Sequence, residues 1–585
     1  MKLSDISERT TVGVFLRQAN RLADRTLVRT WTGDAWREVT WAEMRDLALR
    51  VAGHLVELGV RPRDRVILLS ENRLEWLYCD LGIQAAGAVT VPIYPSTPAE
   101  TARLIAADSE AVLAIASGEA LAGHLEPAGD LKHVLRMDRE VAEWVSGPYP
   151  DAEMEEIDRR LAALDPEQMV TIIYTSGTTG EPKGVMLAHR NFVDMAYSGL
   201  KVFPIGEQDV TLSFLPFAHV LERVSGVFTG MLAGGSSYLS RGIDRLVEDI
   251  AEARPTVMVA VPRVYEKMYE RVQDEVRKAA PRRQRIFEWA VAVGKQHSRT
   301  GGARLRYAIA ERLVLGRIRT LLTGGRLRFF VSGGAPLARE VEEFFWALGV
   351  QILQGWGLTE TTSGATSNTV DAHKYGTVGR PLPGVEIKTA KDGEVMVKGP
   401  CVMLGYFKNE RATEETIRDG WLSTGDIGEI DGEGFLTITD RKKDLIKTAG
   451  GKYVAPQPLE ARLQEDPTIE RAVVVGDQRP YCVALIVPNW DAVRSRLGIS
   501  GEPSDLVEDE RVRDHVQATV DSVNRGLGSW ETIKYFRLLP HDFTEESGEV
   551  TPTLKVKRRV IMERHAEEID ALYAGSKKPE RQAAH

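Results

Sequence analysis

The sequence predicts an α/β protein: a large N-terminal domain of doubly wound sheets with a small antiparallel β subdomain, followed by a small α+β C-terminal domain. Three observations predict this class. Apolar runs alternate with helical patterns, short strands with Asp-Gly turns begin after about residue 376, and a charged, then glycine-rich, linker follows. A chain of 585 residues also exceeds the size at which a single core stops growing, so at least two domains are expected.

Five apolar runs are predicted to be strands of the large domain. They are residues 65–70, 88–94, 112–117, 257–262 and 327–332. Because the apolar residues of each run are mostly consecutive and the runs alternate with helical patterns, we expect parallel strands that helices cover on both faces.

The antiparallel subdomain is predicted from two turns. Asp392-Gly393 and Asp431-Gly432 stand between alternating apolar residues, which is typical of hairpins. The composition then changes at residues 440–457, DRKKDLIKTAGGKYVAPQ. We therefore expect an N-terminal domain of residues 1–440, a C-terminal domain of residues 441–575 and a flexible tail of residues 576–585.

Composition excludes several classes of protein. The formal charge of −9 argues against a general nucleic-acid binder. The three cysteines are widely separated, which fits neither a disulfide framework nor a zinc site. The first residues lack the apolar core of a signal peptide, and no run approaches the ~18 apolar residues of a membrane span. We expect a cytoplasmic protein that binds no nucleic acid.

One segment is locally basic. Residues 271–320 hold thirteen Lys or Arg against four Asp or Glu, interleaved with apolar residues at helical spacing. Solvated faces of surface helices are one interpretation. The other is peripheral contact with an anionic membrane surface at the inner face of the membrane.

A glycine-rich loop follows the apolar run 169–173. Residues 174–184, YTSGTTGEPKG, hold three glycines, four serine or threonine hydroxyls and Lys183. Glycines allow backbone N–H groups close to a ligand, and the lysine supplies positive charge, so the loop predicts a phosphate cradle. It is not a Walker A sequence, because Lys183 follows Gly180 by three residues and precedes Gly184.

A second glycine-rich turn, QGWGLTE at residues 354–360, nearly matches a dinucleotide fingerprint. Glu360 stands where the third glycine belongs. A carboxylate there would repel a pyrophosphate unless a cation lay between them, which suggests Mg²⁺; a surface glutamate in a helix's first turn is the alternative. His219 and Glu222 have i, i+3 spacing, but without a second such pair His219 is interpreted as a site-lining or packing residue rather than a metal ligand.

Seven motifs resemble, in order and roughly in spacing, those of the adenylate-forming superfamily, which includes acyl-CoA synthetases. They are YTSGTTGEPKG, LPFAHVLERV, SGGAPL, QGWGLTE, GWLSTGDIGEI, DRKKDLIKTAGGKYVAPQ and TPTLKVKRR. The resemblance covers about residues 10 to 570. Through AHVLER, the basic insert after Pro281 and TPTLKVKRR, the chain is most similar to long-chain fatty-acid CoA ligases.

The resemblance implies a reaction in two steps: ATP activates a long-chain fatty acid to acyl-AMP, and the acyl group then passes to coenzyme A. ATP, the fatty acid and coenzyme A would be substrates, with Mg²⁺ as cofactor. Three alternatives stay open: a fatty acyl-AMP ligase that loads a carrier protein, a medium-chain or aryl-acid CoA ligase, and a catalytically silent scaffold. The sequence shows no extra segment between Gly379 and Asp440, which favours coenzyme A. It indicates neither chain length nor oligomeric state.

The resemblance also assigns roles to residues of the nucleotide site. The phosphate loop would be Thr175, Ser176, Gly177, Thr178, Thr179, Gly180 and Lys183, with Mg²⁺ on Glu360 and Thr178. The adenosine would lie along Gly333, Gly334, Ala335, Gly355, Trp356 and Gly357, and Asp426 with Arg441 would bind the ribose. Most relatives carry tyrosine where Trp356 stands.

The remaining roles concern catalysis and domain movement. The catalytic residues would be Lys555, Glu360, His219 and Thr359. Lys443 would be the hinge of a mobile C-terminal domain, and Gly450 and Gly451 would line the pantetheine channel. Residues 213–219, 226–232 and 257–265 are the apolar segments expected to wall the acyl chain.

Overall fold

A computed structural model describes residues 7–126, 128–129, 131–147, 150–176, 182–450, 452–544, 546–550 and 556–574. Its contacts divide the chain into two compact units. Unit 1 comprises residues 1–388, 396–424 and 431–436, and unit 2 comprises residues 389–395, 425–430 and 437–585. The expected domain boundary after residue 440 stays a proposal.

The strands, in chain order, are β1 (Thr26–Trp31), β2 (Trp36–Thr40), β3 (Arg65–Leu69), β4 (Val89–Ile93), β5 (Ala111–Ala116), β6 (His133–Arg136), β7 (Met169–Ser176), β8 (Pro182–Ala188), β9 (Val210–Ser213), β10 (Ser236–Leu239), β11 (Val257–Ala260), β12 (Phe329–Ser332), β13 (Gln351–Trp356), β14 (Thr366–Ser367), β15 (Arg380–Pro381), β16 (Glu386–Thr389), β17 (Glu394–Lys398), β18 (Gly405–Tyr406), β19 (Ile417–Arg418), β20 (Trp421–Ile430), β21 (Leu436–Arg441), β22 (Ile446–Lys447), β23 (Tyr453–Val454), β24 (Ile469–Val475), β25 (Cys482–Pro488) and β26 (Ile533–Leu538).

The α-helices are α1 (Thr11–Arg21), α2 (Trp41–Glu57), α3 (Leu74–Ala85), α4 (Ala99–Asp108), α5 (Glu119–His124), α6 (Ala142–Ser146), α7 (Asp151–Ala162), α8 (His189–Val202), α9 (Thr229–Ala233), α10 (Leu246–Ala253), α11 (Pro262–Lys278), α12 (Pro281–Thr300), α13 (Arg304–Ala310), α14 (Gly316–Thr323), α15 (Arg339–Ala347), α16 (Glu410–Thr416), α17 (Pro456–Leu463), α18 (Trp490–Leu497), α19 (Pro503–Leu506), α20 (Glu510–Asn524), α21 (Arg558–Arg564) and α22 (Ala566–Ala574). Three further π-helices span Met137–Val141, Leu221–Phe228 and Glu311–Leu315, and two 3₁₀ turns span Ile243–Arg245 and Thr359–Thr361.

The largest sheet of unit 1 has the order β18-β8-β7-β4-β3-β5-β6. The strands β7, β4, β3, β5 and β6 run parallel. Alternate residues of β3 pack on opposite sides: Val66 and Leu68 join the core that α2 and α3 form, while Ile67 and Leu69 join the core beneath α4. The predicted parallel strands covered on both faces are confirmed, because side chains alternate between faces along each strand.

A second sheet has the order β11-β12-β13-β14-β15, with the first three strands parallel. On one face Met258, Phe330 and Ile352 pack against the helices α11, α12 and α15. On the other face Val259 and Val331 join a smaller cluster with the π-helix Leu221–Phe228. The sheet therefore separates a helical layer from the space where the cavity described below lies. A third sheet, β2-β1-β10-β9, completes unit 1.

The predicted hairpins are present. A turn at residues 390–393 joins β16 to β17, and a turn at residues 431–435 joins β20 to β21. These strands belong to one small sheet.

Unit 2 is built around the sheet β24-β25-β26. The strand β25 is buried along its whole length, with α17 and α20 packing on one face and α22 on the other. In the described part of the chain, no helix is both long and apolar enough to span a membrane.

Candidate active site

The predicted phosphate loop joins two antiparallel strands, β7 and β8, rather than a strand and a helix. Thr175 and Lys183 are paired across the two strands, and both are half-buried. Gly177, Thr178, Thr179 and Gly180 lie outside the described residues, as does the side chain of Ser176. The hairpin thus fixes the two ends of the loop and places the lysine at its base.

One tyrosine connects this hairpin to Glu360. Tyr406 lies on β18, which pairs antiparallel with β8, and its hydroxyl donates a hydrogen bond of 2.9 Å to Glu360 Oε1. The Lys183 ammonium lies 5.1 Å from the centroid of the Tyr406 ring, within the range of a cation–π contact. Burial, with the Glu360 charge second, raises the pKa of the Tyr406 hydroxyl, so this hydroxyl stays a donor. The structure therefore brings Lys183 and Glu360 to one tyrosine.

The turn that carries Thr359 and Glu360 is held by the segment 401–403. The Glu360 carbonyl accepts a hydrogen bond from the Met403 N–H, and the buried Thr362 hydroxyl donates to the Cys401 carbonyl at 2.7 Å. Thr362 has a φ of +50°, a conformation that a β-branched residue rarely adopts. Such strain persists only where the surroundings enforce it, and it is typical of functional sites.

Glu360 fits the predicted role of a Mg²⁺ ligand. Its Oε1 accepts from Tyr406, and no described residue pairs with its Oε2. Among the described residues no three His, Cys, Asp or Glu side chains form a metal-binding group. Mg²⁺ is commonly bound by one or two carboxylates together with substrate phosphates. A single carboxylate beside the predicted phosphate loop therefore provides enough protein ligands for a Mg²⁺ site. Thr178, the second predicted ligand, lies outside the described residues.

The segment predicted to bind adenine follows β12. Gly333 is buried, and a Cβ atom there would lie 3.5 Å from Leu221, whereas Gly334 and Ala335 are exposed. Gly334 has a φ of +90°, which favours glycine over any other residue. The backbone is therefore open to a ligand beyond Gly333.

The glycines at the end of β13, Gly355 in the strand and Gly357 directly after it, have a packing reason. A Cβ atom on Gly357 would lie 2.0 Å from the Ser363 carbonyl oxygen, so no side chain fits. A Cβ atom on Gly355 would lie 3.1 Å from the Thr366 carbonyl oxygen. Trp356, between them, is buried. Contact of this segment with adenosine stays a prediction.

His219 lies just before the π-helix Leu221–Phe228, which places the predicted acyl-entrance residue beside the cavity wall. The Leu221 N–H donates to His219 Nδ1 at 3.1 Å. A neutral imidazole that accepts at Nδ1 carries its proton at Nε2. The ring therefore presents a donor on its other side.

An apolar cavity lies between this π-helix, α8 and the strands β9, β11 and β12. The space enclosed within it is about 60 Å³, and a mouth open to solvent extends it. Its apolar wall includes Phe203, Leu212, Val224, Val257, Val259 and Val331. All three segments expected to wall an acyl chain contribute, and Thr362 from the turn after Glu360 also reaches the wall.

Among the described residues that line the cavity, Glu222 is the one with a carboxyl group. Burial raises its pKa to about 8, although a hydrogen bond from Ser213 opposes the shift, so the group is mostly neutral at pH 7. A Cβ atom on Gly226 would lie 2.8 Å from the Glu222 carboxyl. The glycine one turn later thus makes the room that this carboxyl occupies.

The next residue, Arg223, points into the core. It binds Asp80 at 2.5 Å and 3.1 Å, donates to Thr171 Oγ1 at 2.7 Å, and lies 5.5 Å from the ring centroids of Trp76 and Phe192. Since Thr171 belongs to β7, the buried guanidinium of Arg223 joins the π-helix Leu221–Phe228 to the strand that precedes the predicted phosphate loop.

The residues predicted to bind ribose lie in unit 2. Asp426, buried on β20, forms an ion pair of 3.0 Å between its Oδ1 and the Arg441 Nε. A carboxylate has two oxygens that can accept hydrogen bonds from two ribose hydroxyls. The predicted pair is thus formed, while its ligand stays a prediction.

Lys443, the predicted hinge, is exposed in a turn directly after β21. Asp440, the second-last residue of β21, is buried and accepts hydrogen bonds from the Arg441 and Gln457 N–H groups. Burial raises its pKa to about 6. Gly450 is exposed, with open space around its Cα. Gly451 lies outside the described residues.

Lys555 also lies outside the described residues, but Arg558 is described. Arg558 is mostly buried, donates to the Val474 carbonyl at 2.6 Å and binds Glu460 at 2.8 Å. The basic run after Lys555 is therefore anchored in unit 2 rather than merely solvated. Sequence reasoning missed this anchor, as it missed Tyr406 and Arg223, because each depends on a partner far away in the chain. It named Glu222 only for its spacing from His219 and did not predict its burial.

Comparisons with known proteins agree with this architecture. The profile of a family described as AMP-binding enzyme matches residues 15–407, and that of the AMP-binding enzyme C-terminal domain matches residues 443–577. A long-chain-fatty-acid–CoA ligase of Mycobacterium bovis, FadD15, is 39% identical over 92% of this chain and 92% of its own.

Two solved structures have the same fold. The anthranilate CoA ligase AuaEII, in complex with anthranoyl-AMP, superposes with a TM-score of 0.73 at 22% identity, over 98% of this chain and 100% of that one. The O-succinylbenzoate CoA synthetase MenE of Bacillus subtilis, in complex with ATP and magnesium, has a TM-score of 0.69 at 24% identity, over 93% of this chain and 98% of that one.

Proposed function

Because the chain belongs to the AMP-binding enzyme family, we propose that it is a long-chain fatty acid–CoA ligase. The observation that carries the proposal is the apolar cavity of unit 1, whose wall continues into the turn that follows Glu360. The lining of the cavity is apolar and favours an apolar group, and a carboxylate at its mouth would face the residues proposed to bind phosphate. The 39% identical relative named as a long-chain ligase supports the same substrate class.

In the first step, a carboxylate oxygen of the acid attacks the α-phosphorus of ATP, and the bond to pyrophosphate breaks. Lys183 and the hydroxyls of the loop after Thr175 would hold the leaving phosphates. Glu360 would hold Mg²⁺, which offsets phosphate charge when bound. Tyr406 orients the Glu360 carboxylate through its hydrogen bond.

The bridge between the carboxylate and the phosphate is assigned to Lys555 by its place in TPTLKVKRR. A cation there stabilises the charge that develops in the adenylation transition state. His219 would lie at the acyl entrance, and Thr359 would reach the α-phosphate. Asp426 and Arg441 would bind the ribose.

In the second step, the coenzyme A sulfur attacks the acyl carbonyl, the bond to AMP breaks and the thiol proton is lost. Lys443 is placed in an exposed turn where backbone rotation would let the C-terminal domain move between the two steps. Gly450 and Gly451 would leave room for the thin pantetheine arm. We place the enzyme in the cytoplasm; membrane contact is compatible with this chemistry but not required by it.

The test is a paired assay with Mg·ATP and acids of several chain lengths, following AMP and acyl-CoA, with Lys555→Ala alongside. We expect coenzyme A-dependent AMP release that peaks with long-chain acids. The variant should lose adenylation yet still convert supplied acyl-AMP, because its charge acts only in the first step. Adenylate without acyl-CoA would instead indicate a carrier-protein loader, and a peak with short or aryl acids would overturn the substrate class.

A further inference from the structure

The positive charge of the chain is concentrated in one helical region. Residues 281–326 hold eleven Lys or Arg against two Asp or Glu, although the whole chain has a formal charge of −9. The first part of the predicted basic segment does not belong to this region, because Arg277 pairs with Asp274 and Lys278 with Glu275. The basic excess therefore begins at α12.

Most of this charge is not neutralised by the protein. Lys295 and Arg299 bind Glu343, and Arg319 binds Glu311. Eight other arginines are exposed, and none has a carboxylate of the described chain within ion-pair distance: Arg282, Arg283, Arg285, Arg304, Arg306, Arg312, Arg317 and Arg326. Unpaired surface charge of one sign attracts a partner of the opposite sign.

Apolar side chains stand among these arginines. Leu305, Ile309, Leu313 and Leu321 are 78%, 46%, 53% and 65% exposed. They are spaced by four or eight residues along the continuous helical stretch 304–323, so they form one row, in which Arg317 fills the missing step. The opposite side of the same stretch is buried in the core. Scattered exposed apolar side chains are ordinary, but a row of three leucines and one isoleucine is not.

The neighbouring helix α12 adds to this surface. It packs against α13 and the π-helix Glu311–Leu315, and it exposes Ile286 and Trp289 one turn apart, beside Arg282 and Arg285. Tryptophan is enriched where one end of a side chain is apolar and the other is wet, as at a membrane interface.

We propose that the outer faces of α12 to α14 form a docking surface for an anionic lipid bilayer. The row Leu305–Ile309–Leu313–Leu321 would enter the headgroup layer, and the flanking arginines would contact lipid phosphates while their stems cover apolar surface. A nucleic acid would match the charge but would leave the leucine row in water. Long-chain acids partition into bilayers, so a membrane-docked enzyme would also lie near its substrate. This last reason rests on the proposed function, whereas the charge and the exposed apolar row do not.

Co-sedimentation of the full chain with phosphatidylcholine vesicles, with and without phosphatidylserine, tests the surface. We expect binding only to the anionic vesicles, stronger at about 0.1 M than at about 0.5 M salt. Each basic residue near such a surface strengthens binding about five-fold, so the triple variant Arg304→Gln, Arg306→Gln, Arg312→Gln should bind on the order of 100-fold more weakly. Leu305→Ser with Ile309→Ser should weaken binding at both salt concentrations.

The matched control removes three exposed arginines elsewhere: Arg139→Gln, Arg159→Gln and Arg411→Gln. It should bind anionic vesicles like the wild type. Three results would each overturn the proposal. They are an equal loss of vesicle binding in the control variant, vesicle binding that does not depend on phosphatidylserine, and binding of a DNA duplex without vesicle binding. Ligase assays without vesicles on a water-soluble acid separate the two proposals, because vesicle binding and acyl-CoA formation are read independently.

Discussion

Tyr406 and Glu360 are 46 residues apart in the chain, yet the tyrosine hydroxyl donates a 2.9 Å hydrogen bond to the glutamate. The contact exists because β18 pairs with β8, the strand that carries Lys183. One side chain thus touches both the lysine at the base of the phosphate loop and the carboxylate assigned to Mg²⁺.

Tyr406→Phe should weaken the use of Mg²⁺. A hydrogen bond to a charged group contributes about 1.5–3 kcal/mol, so we expect adenylation to fall roughly ten-fold or more at limiting Mg²⁺. Pyrophosphate release measured against Mg²⁺ concentration checks this. Tyr197→Phe, at an exposed tyrosine, is the control. If Tyr406→Phe depends on Mg²⁺ concentration like the wild type, Tyr406 does not orient the Mg²⁺ ligand.

Glu222 should make stability depend on pH. Its folded pKa of about 8 lies above the ordinary value of 4.5, so the folded chain binds the proton more tightly than the unfolded chain. The stability from this group is complete below pH 4.5 and is lost as the pH rises to about 8, by at most about 1.4 kcal/mol per pH unit.

Glu222→Gln keeps the shape of the side chain but cannot ionise. Relative to wild type, its Tm should rise between pH 5 and pH 8, with a parallel course above about pH 8. We also expect the wild-type KM for the acid to increase above pH 8, because a charge then faces the apolar cavity, while the variant shows no such increase. Parallel Tm curves across the whole range would contradict a neutral Glu222.

Arg223→Met should destabilise unit 1. Removal of one partner leaves the Asp80 charge buried and unpaired, at a cost of about 3–5 kcal/mol. The double variant with Asp80→Asn should recover part of that loss. Thermal unfolding checks both, and Arg411→Ala, which breaks the exposed pair with Glu415, should cost less than about 1 kcal/mol. An equal loss of stability in Arg223→Met and Arg411→Ala would contradict a stabilising role of the buried Arg223–Asp80 pair.

Arg558→Met should affect only the first half-reaction. Arg558 fixes the chain three residues after Lys555 by its contacts with Glu460 and Val474, so its loss should misplace the lysine. We expect adenylation to fall while supplied acyl-AMP is still converted to acyl-CoA. Arg559→Met, at the exposed neighbour, is the control. Equal loss of both half-reactions would indicate a merely structural role.

Local patterns predicted much of the fold. The run 65–70 became β3 and the run 112–117 became β5, because strands of a parallel sheet that are covered on both faces carry nearly continuous apolar runs. The Asp-Gly turns likewise became hairpins. The glycine-rich loop was also predicted from residues adjacent in the chain, although the strand that follows it, β8, was not predicted.

The sequence by itself determined the α/β class, the family resemblance and the motifs proposed to bind phosphate, because each depends on residues that are neighbours in the chain. The tertiary structure alone decided that Tyr406 meets Glu360, that Glu222 is buried neutral in a cavity wall, and that Arg223 reaches Asp80. Burial and charge pairing arise between elements far apart in sequence. No local pattern encodes the low-dielectric surroundings that set a pKa or the partner that satisfies a buried charge.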